Sequence, residues 1–137
     1  MGRLMIGLWV LLAVIVVGMG YIRLAPSDPV RWHAEPTVTT DINTTGGAKR
    51  LVETGPDGLA RLDAIARVAP RTRVLWGSVE SGMVTYVTRS KVMGFPDYTT
   101  VQQDGDRLKM HGRLRFGRSD MGVNAARLDA WIAALQS

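Results

Sequence analysis

The distribution of apolar residues divides the chain into a continuous hydrophobic segment near the N-terminus and a longer, patterned remainder. Leu4–Ile22 is a run of 19 residues without a charged side chain. As a helix it would span roughly 28 Å, close to the roughly 30 Å hydrocarbon core of a bilayer. Backbone groups in lipid must pair within the segment. We therefore predict a transmembrane helix that contacts the bilayer through residues 4–22 and forms an anchor over residues 1–23.

A cleaved signal peptide is the alternative interpretation of this segment. Residues 18–20, Gly-Met-Gly, have small side chains at the spacing that signal peptidases accept. The apolar run is longer than the about 7–15 residues typical of a signal sequence, which favours a permanent anchor. Charge does not decide the orientation, because Arg3 precedes the segment while Arg23 and Arg31 follow it.

A stretch rich in Pro, Thr, Asn and Gly, residues 24–55, follows the anchor. It shows no apolar periodicity, and its prolines favour extended backbone. We therefore predict a tether that lies over the folded domain, with Trp32 and His33 as the residues that pin it there.

From residue 56 onward, two segments of helical period enclose a region of period two. Apolar spacing predicts helices at Asp57–Ala69 and Ala125–Leu135, the second capped by Asn124. Alternation between them predicts four strands: Arg73–Val79, Met83–Arg89, Tyr98–Gln103 and Arg107–Phe116. The expected fold class is α+β. The N-terminal transmembrane helix precedes a small two-layer domain over residues 56–137, with parts of the tether packed on it. That domain has a mostly antiparallel four-stranded sheet and two packing helices.

The composition excludes several kinds of chemistry. The chain has 137 residues, 46% of them hydrophobic and 21% charged, and contains no cysteine, so disulfides, thiolate ligands and a thiol nucleophile are excluded. The two histidines, His33 and His111, have no carboxylate or second histidine at ligand spacing. No phosphate-binding loop or nucleophile motif is present. We predict no catalytic residue, no metal site and no cofactor.

Charge is concentrated in two polar stretches, residues 88–98 and 113–124. Guanidinium groups beside a helix N-terminus can bind carboxylate or phosphate. The candidate anion-binding residues are Arg89, Asp97, Arg113, Arg115, Arg118 and Asp120. The simpler interpretation, which we favour, is that these arginines are solvated or pair with the two aspartates to brace the loops. The excess of 17 basic over 12 acidic residues is modest and aromatic residues do not alternate with it, so no nucleic acid partner is expected.

Several short elements make the chain similar to a known family. They are Pro70-Arg71-Thr72, residues 85–90 (Thr-Tyr-Val-Thr-Arg-Ser), residues 94–98 (Gly-Phe-Pro-Asp-Tyr), and residues 117–124 (Gly-Arg-Ser-Asp-Met-Gly-Val-Asn) with Arg127. Together with the proline-rich residues 23–29 and Trp32-His33, they resemble the bacterial and plastid domain of unknown function 1499 family, in its membrane-anchored alphaproteobacterial branch. The resemblance extends over about residues 23–135. It implies an envelope-associated domain, often behind an N-terminal anchor or signal, and it implies no activity.

Two functional hypotheses follow. The first, favoured by the anchor, the small size and the lack of a catalytic constellation, is a non-enzymatic accessory domain that contacts a protein partner in a membrane complex or another periplasmic component. The second is a small enzyme or binding module for an anionic ligand, which would use the Arg and Asp residues of the two loops. A buried, concave cluster would favour the second, and a convex, exposed one the first. The resemblance implies a single-pass protein of the inner (cytoplasmic) membrane with its soluble domain in the periplasm.

Overall fold

Six antiparallel strands form the sheet around which the molecule is organised. The computed structural model describes residues 2–137. In chain order the elements are α1 (Arg3–Leu24), α2 (Pro29–Trp32), β1 (Ile42–Thr44), β2 (Gly47–Glu53), α3 (Gly58–Val68), β3 (Thr72–Ser78), β4 (Met83–Arg89), β5 (Pro96–Asp104), β6 (Arg107–Leu114) and α4 (Val123–Gln136). The strand order is β1-β2-β6-β5-β4-β3, and every neighbouring pair is antiparallel.

Helix α1 contains the apolar run and stands apart from the core. None of its residues is buried against the rest of the chain. The mean hydropathy of its most apolar segment is 2.4. A helix that is apolar on all sides and has no protein cover needs an apolar environment. By length and composition, α1 is able to cross a membrane.

The predicted four-stranded sheet is wrong, because two further strands lie in the stretch predicted to be a tether. Strands β1 and β2 form a hairpin, and β2 pairs with β6 along its whole length. The alternation in β2 is hidden by Arg50, which faces the helices and is only 7% exposed. Its Nε lies 2.8 Å from Asp129 Oδ1 on α4, a partner far away in the sequence. Residues 2–137 form four helices, and the one-turn α2 has no counterpart in the prediction.

Helices α3 and α4 cover one face of the sheet and enclose the main hydrophobic core. The buried residues of this core are Ala48, Val52, Leu59, Leu62, Ala66, Val84, Tyr86, Val101, Leu108, Met110, Leu128, Trp131 and Leu135. The ring of Tyr86 meets Trp131 edge-on at 5.7 Å, and the Tyr86 hydroxyl donates to Asp63 Oδ1 at 2.6 Å. These contacts hold both helices against β4 and so determine where α4 lies on the sheet.

Residues 25–38 cover the opposite face of the sheet, where Trp32 is the central contact. Its indole stacks on Tyr98 of β5, with centroids 3.9 Å and planes 14° apart. The Trp32 carbonyl accepts a hydrogen bond from the Arg113 guanidinium of β6. His33 Nδ1 lies 2.8 Å from the Thr85 hydroxyl of β4. The sheet is thus covered by helices on one face and by extended chain on the other.

Replacing Trp32 with alanine should destabilise the folded domain by about 3 kcal/mol, because the change removes a buried ring that closes one face of the sheet. Trp76→Ala is the matched control, since Trp76 on the edge strand β3 is 60% exposed. We expect it to change the free energy of unfolding by less than about 0.5 kcal/mol. Chemical unfolding of the full chain in mild detergent measures both. Equal stability of the two variants would show that this covering segment does not support the fold.

Candidate functional site

Two loops at one end of the sheet enclose a cavity of about 540 Å³, which we name the loop cavity. The first loop, residues 90–95, joins β4 to β5, and the second, residues 115–122, joins β6 to α4. They meet because β4 and β6 end, and β5 begins, at the same edge of the antiparallel sheet. The ionisable residues that line the loop cavity are Arg71, Arg89, Lys91, Asp97, Asp120 and Arg127.

The carboxylates of the loop cavity are joined by Asn124, a fully buried residue in the first turn of α4. Its amide nitrogen donates to Asp120 Oδ2 at 2.9 Å and to Asp97 Oδ2 at 3.4 Å. Its amide oxygen accepts from Arg127 at 2.9 Å, and the Arg127 guanidinium lies 3.6 Å from Asp97. A Cβ on the neighbouring Gly112 would lie 2.9 Å from the amide oxygen, so only glycine lets this side chain pack on β6.

Asp120, rather than Asn124, satisfies the first backbone groups of α4. Its two carboxylate oxygens accept the N–H groups of Gly122 and Asn124, at 2.9 and 3.1 Å. The prediction that Asn124 is the N-cap is therefore wrong. The helix begins at Val123, and the Asn124 side chain turns towards the sheet instead of bonding the helix terminus.

The two carboxylates of the loop cavity differ in their electrostatics. Burial raises the pKa of Asp97 above its ordinary value, and the charge of Asp120 acts in the same direction against the lowering effect of Arg127. Burial also opposes ionisation of Asp120. Hydrogen bonds from the Asn124 side chain and from the backbone of Gly122 and Asn124 nevertheless hold the pKa of Asp120 below its ordinary value. The ionised form of Asp120 is therefore stabilised by hydrogen bonds within the turn, whereas the charge of the buried Asp97 is compensated by Arg127.

Three cations of the loop cavity have no carboxylate partner. The Arg89 guanidinium donates to the carbonyls of Gly94 and Ile22, at 2.9 and 3.0 Å, and Arg71 Nε donates to the Arg89 carbonyl at 3.0 Å. Within residues 2–137, no carboxylate oxygen lies within 4.0 Å of the charged nitrogens of Arg71, Arg89 or Lys91. The cavity therefore carries an excess of positive charge, which favours an anion.

The loop cavity also contains strained backbone. Arg71 has a φ of 56° and Met121 a φ of 54°, and both residues line the cavity. In the part of the chain that the structure describes, no other non-glycine residue has a positive φ. A positive φ at a non-glycine residue costs on the order of 1 kcal/mol of conformational free energy. The surrounding structure thus holds both sides of the cavity in conformations that local preference opposes, as is common at functional sites.

The structure brings together three of the six residues predicted for an anion site. Arg89, Asp97 and Asp120 line the loop cavity. Neither aspartate pairs with Arg89, because Asp97 is held by Arg127 and Asp120 by the first turn of α4. Arg118 is exposed on the second loop and does not line the cavity.

Arg113 and Arg115 lie on the opposite face of the sheet, where they hold residues 25–38. Arg113 donates to the Trp32 carbonyl and to the Thr100 hydroxyl. Burial lowers the pKa of Arg113 to about 10, which leaves it cationic at neutral pH. Arg115 donates to the Pro26 carbonyl at 2.9 Å and to the Tyr98 hydroxyl at 3.1 Å. Both arginines contribute to the fold rather than to the loop cavity.

The prediction did not include four residues that form the loop cavity or its support, namely Arg71, Lys91, Asn124 and Arg127. Arg71, Asn124 and Arg127 stand within the short elements on which the family resemblance rests, and that coincidence is the signal that could have identified them. Lys91 has no such signal. Within residues 2–137, no group of three or more His, Asp or Glu side chains could hold a metal ion.

A comparison with known protein families gives a match that covers the folded part of the chain after α1. A family model with the description "Protein of unknown function (DUF1499)" matches residues 26–135, from before α2 to the last turn of α4. This confirms the family resemblance, while the alphaproteobacterial branch stays a prediction. A search of curated proteins finds no match. All ionisable residues of the loop cavity lie within the matched region.

Replacing Arg127 with methionine should destabilise the protein by about 3 kcal/mol, because Asp97 would be left buried and unpaired beside Asp120. The side chains of Asp97 and Arg127 are each 15% exposed. Adding Asp97→Asn to Arg127→Met should recover most of the loss, since the amide carries no charge to compensate. Thermal unfolding of the two variants at neutral pH makes the comparison. A double variant no more stable than the single one would mean that Arg127 acts by packing alone.

Proposed function

We propose that this chain, which belongs to the family described as Protein of unknown function (DUF1499), is a membrane-anchored module. In this proposal the module binds an anionic ligand in the loop cavity. The observation that carries the proposal is the set of three cations without a carboxylate partner, Arg71, Arg89 and Lys91, in one concave site. Guanidinium and ammonium groups in this arrangement recognise phosphate or carboxylate groups.

The shape of the site favours ligand binding over a purely structural role. Asp97 and Arg127 form the buried floor of a cavity, each with a side chain 15% exposed, whereas a bracing cluster on a convex surface would be solvated. Both negative charges of the cavity are already compensated, by Arg127 and by the first turn of α4. The remaining positive charge is therefore available to a ligand.

The polar groups of the cavity favour binding over catalysis. Its two serine hydroxyls accept backbone N–H groups within their own loops, Ser90 from Phe95 at 2.9 Å and Ser119 from Met121 at 3.2 Å. No histidine lines the cavity, and within residues 2–137 neither serine hydroxyl is hydrogen-bonded to a carboxylate. Activation of a hydroxyl nucleophile requires a general base beside it.

The proposal includes an inner-membrane location with the domain on the periplasmic side. It is supported by the apolar surface of α1, which has no protein cover, and by the envelope association that the family resemblance implies. In this arrangement the loop cavity lies close to the membrane, because Arg89 bonds the Ile22 carbonyl in the last turn of α1.

A second candidate function, the accessory domain that contacts a protein partner, has one specific observation in its favour. Trp76 is 60% exposed on β3, and β3 is an edge strand with unpaired backbone groups. Exposed tryptophans and strand edges are frequent contact points between proteins. A stoichiometric protein that co-purifies in mild detergent with the wild type, and not with Trp76→Ala, would favour this alternative.

The anchor is tested by alkaline carbonate extraction of membranes that contain the full chain. We expect the wild type to stay in the pellet, and Leu12→Arg to be released in part, because an arginine at the centre of a spanning helix costs about 2.5–3.5 kcal/mol. A mature N-terminus at Tyr21, determined by mass spectrometry, would instead identify α1 as a cleaved signal. Protease added to spheroplasts should digest the domain; protection would place it in the cytoplasm.

The anion site is tested by thermal unfolding of the full chain in detergent, with and without inorganic phosphate at constant ionic strength. Constant ionic strength removes the general screening of surface charge. Phosphate should raise the melting temperature of the wild type through binding to the folded state. Lys91→Gln should weaken the apparent affinity about tenfold, since one charge-assisted contact contributes on the order of 1.5 kcal/mol.

Arg118→Gln is the matched control for Lys91→Gln. It removes the same charge from the neighbouring loop, at a side chain that is exposed and does not line the cavity. We expect this variant to keep the phosphate response. A wild type that does not respond to phosphate, or two variants that lose the response equally, would refute the site.

A further inference from the structure

The two loops of the cavity are attached to the end of α1. The Arg23 guanidinium donates to the Val92 carbonyl on the first loop, and Arg89 at its base donates to the Ile22 carbonyl at 3.0 Å. On the second loop, the Phe116 ring meets the ring of Tyr21 edge-on at 6.2 Å. The apolar run of the sequence ends at Ile22. Both loops are therefore fixed at the level where a membrane-spanning α1 leaves the hydrocarbon.

Apolar side chains project from the same two loops into solvent. Val92 and Met93 on the first loop are 69% and 36% exposed, and Met121 and Val123 at the end of the second are 93% and 48% exposed. Single exposed apolar residues are common, but three on two adjacent loops and one at the start of α4 form one apolar edge beside α1. The backbone of Met121 also has a positive φ, a conformation that methionine does not favour.

Basic residues flank this apolar edge. Lys91 precedes the tip of the first loop, Arg118 lies on the second, and Arg23 lies at the end of α1 beside them. An apolar tip with basic neighbours is the pattern of segments that bind at the surface of anionic bilayers. The cations Arg71, Arg89 and Lys91 line the cavity between the same two loops.

We propose that the tips of the two loops insert into the bilayer beside α1, and that the ligand of the loop cavity is the phosphate group of an anionic phospholipid. This inference rests on the proposed function, since it names the ligand class of that anion site. Arg71, Arg89 and Lys91 would contact the phosphate, while Val92 and Met121 would contact the acyl chains. Free phosphate offers the same chemistry to the cavity, so the experiments separate the two sources.

Insertion of the tips is tested with single cysteines, which label uniquely because the chain has no native cysteine. The full chain carrying Val92→Cys or Met121→Cys is labelled with a fluorophore and reconstituted in phosphatidylcholine–phosphatidylglycerol vesicles. A nitroxide on the lipid acyl chains should quench both tips more strongly than a nitroxide on the head group.

Two control positions make the quenching interpretable. Arg118→Cys, an exposed polar position on the second loop, should be quenched better by the head-group nitroxide. Asp106→Cys, in the β5–β6 turn at the other end of the sheet, should be quenched by neither. If Val92→Cys and Met121→Cys were quenched like Arg118→Cys or like Asp106→Cys, insertion of the tips would be refuted.

The lipid ligand is tested by unfolding the full chain in nanodiscs of phosphatidylcholine alone, or of phosphatidylcholine and phosphatidylglycerol in equal parts. The wild type should melt at a higher temperature in the anionic discs. Lys91→Gln should lose most of that increase. Arg118→Gln removes one flanking surface charge but none of the cavity, so it should keep the larger part of the increase. Equal loss in both variants would indicate diffuse surface charge and would overturn the site.

The phosphate titration in detergent distinguishes this inference from the proposed function. A wild type that responds to free phosphate but not to phosphatidylglycerol would leave the anion site standing and would refute the lipid ligand. A wild type that responds to neither would refute both. A response to phosphatidylglycerol that requires Lys91 supports the lipid ligand.

Discussion

The hydrogen bonds of the Asn124 side chain are the constraint on which the rest of the site depends. This one amide, fully buried against Gly112 of β6, connects a strand, a loop and a helix through Asp97, Asp120 and Arg127. A buried amide left without partners costs on the order of 1–3 kcal/mol, so the group holds its neighbours in one arrangement. It fixes the first turn of α4, the end of the second loop and the floor of the loop cavity relative to one another.

The arginines of the domain have two different roles, depending on the face of the sheet on which they lie. Arg113 and Arg115 lie on one face, where they donate to carbonyls of the covering segment, which includes Trp32, and to hydroxyls of β5. Arg127 faces the other side and compensates the buried Asp97. Arg71 and Arg89, at the loop edge, donate only to backbone carbonyls. A carbonyl does not neutralise a guanidinium, and this uncompensated charge is the basis of the anion site that we propose.

The same edge is joined to α1, the helix that we propose spans the membrane. The contacts of Arg23 and Arg89 attach the loops to the last turn of α1, so that the cavity and the apolar side chains around it lie beside the helix terminus. An anchor joined only through a flexible tether would leave the domain free to rotate. Here the covering segment is itself held to the sheet by Trp32, which limits that freedom. In the proposed membrane arrangement, the position of the domain relative to the bilayer is thus set by the fold as well as by the anchor.

The sequence by itself determined the elements whose pattern is local. The apolar run of α1, the alternation of β3 to β6 and the helical stripes of α3 and α4 depend on neighbouring residues, and each was visible in the chain. Strand β2 was not visible, because one of its inward-facing residues is the charged Arg50. That side chain can face the helices only because it pairs with Asp129, which is distant in the sequence. The site followed the same rule: residue type marked Arg89, Asp97 and Asp120. It could not show that Arg113 holds the covering segment or that Asn124 bonds both aspartates. Only the tertiary structure decided these, since which charges remain uncompensated depends on contacts between residues distant in sequence.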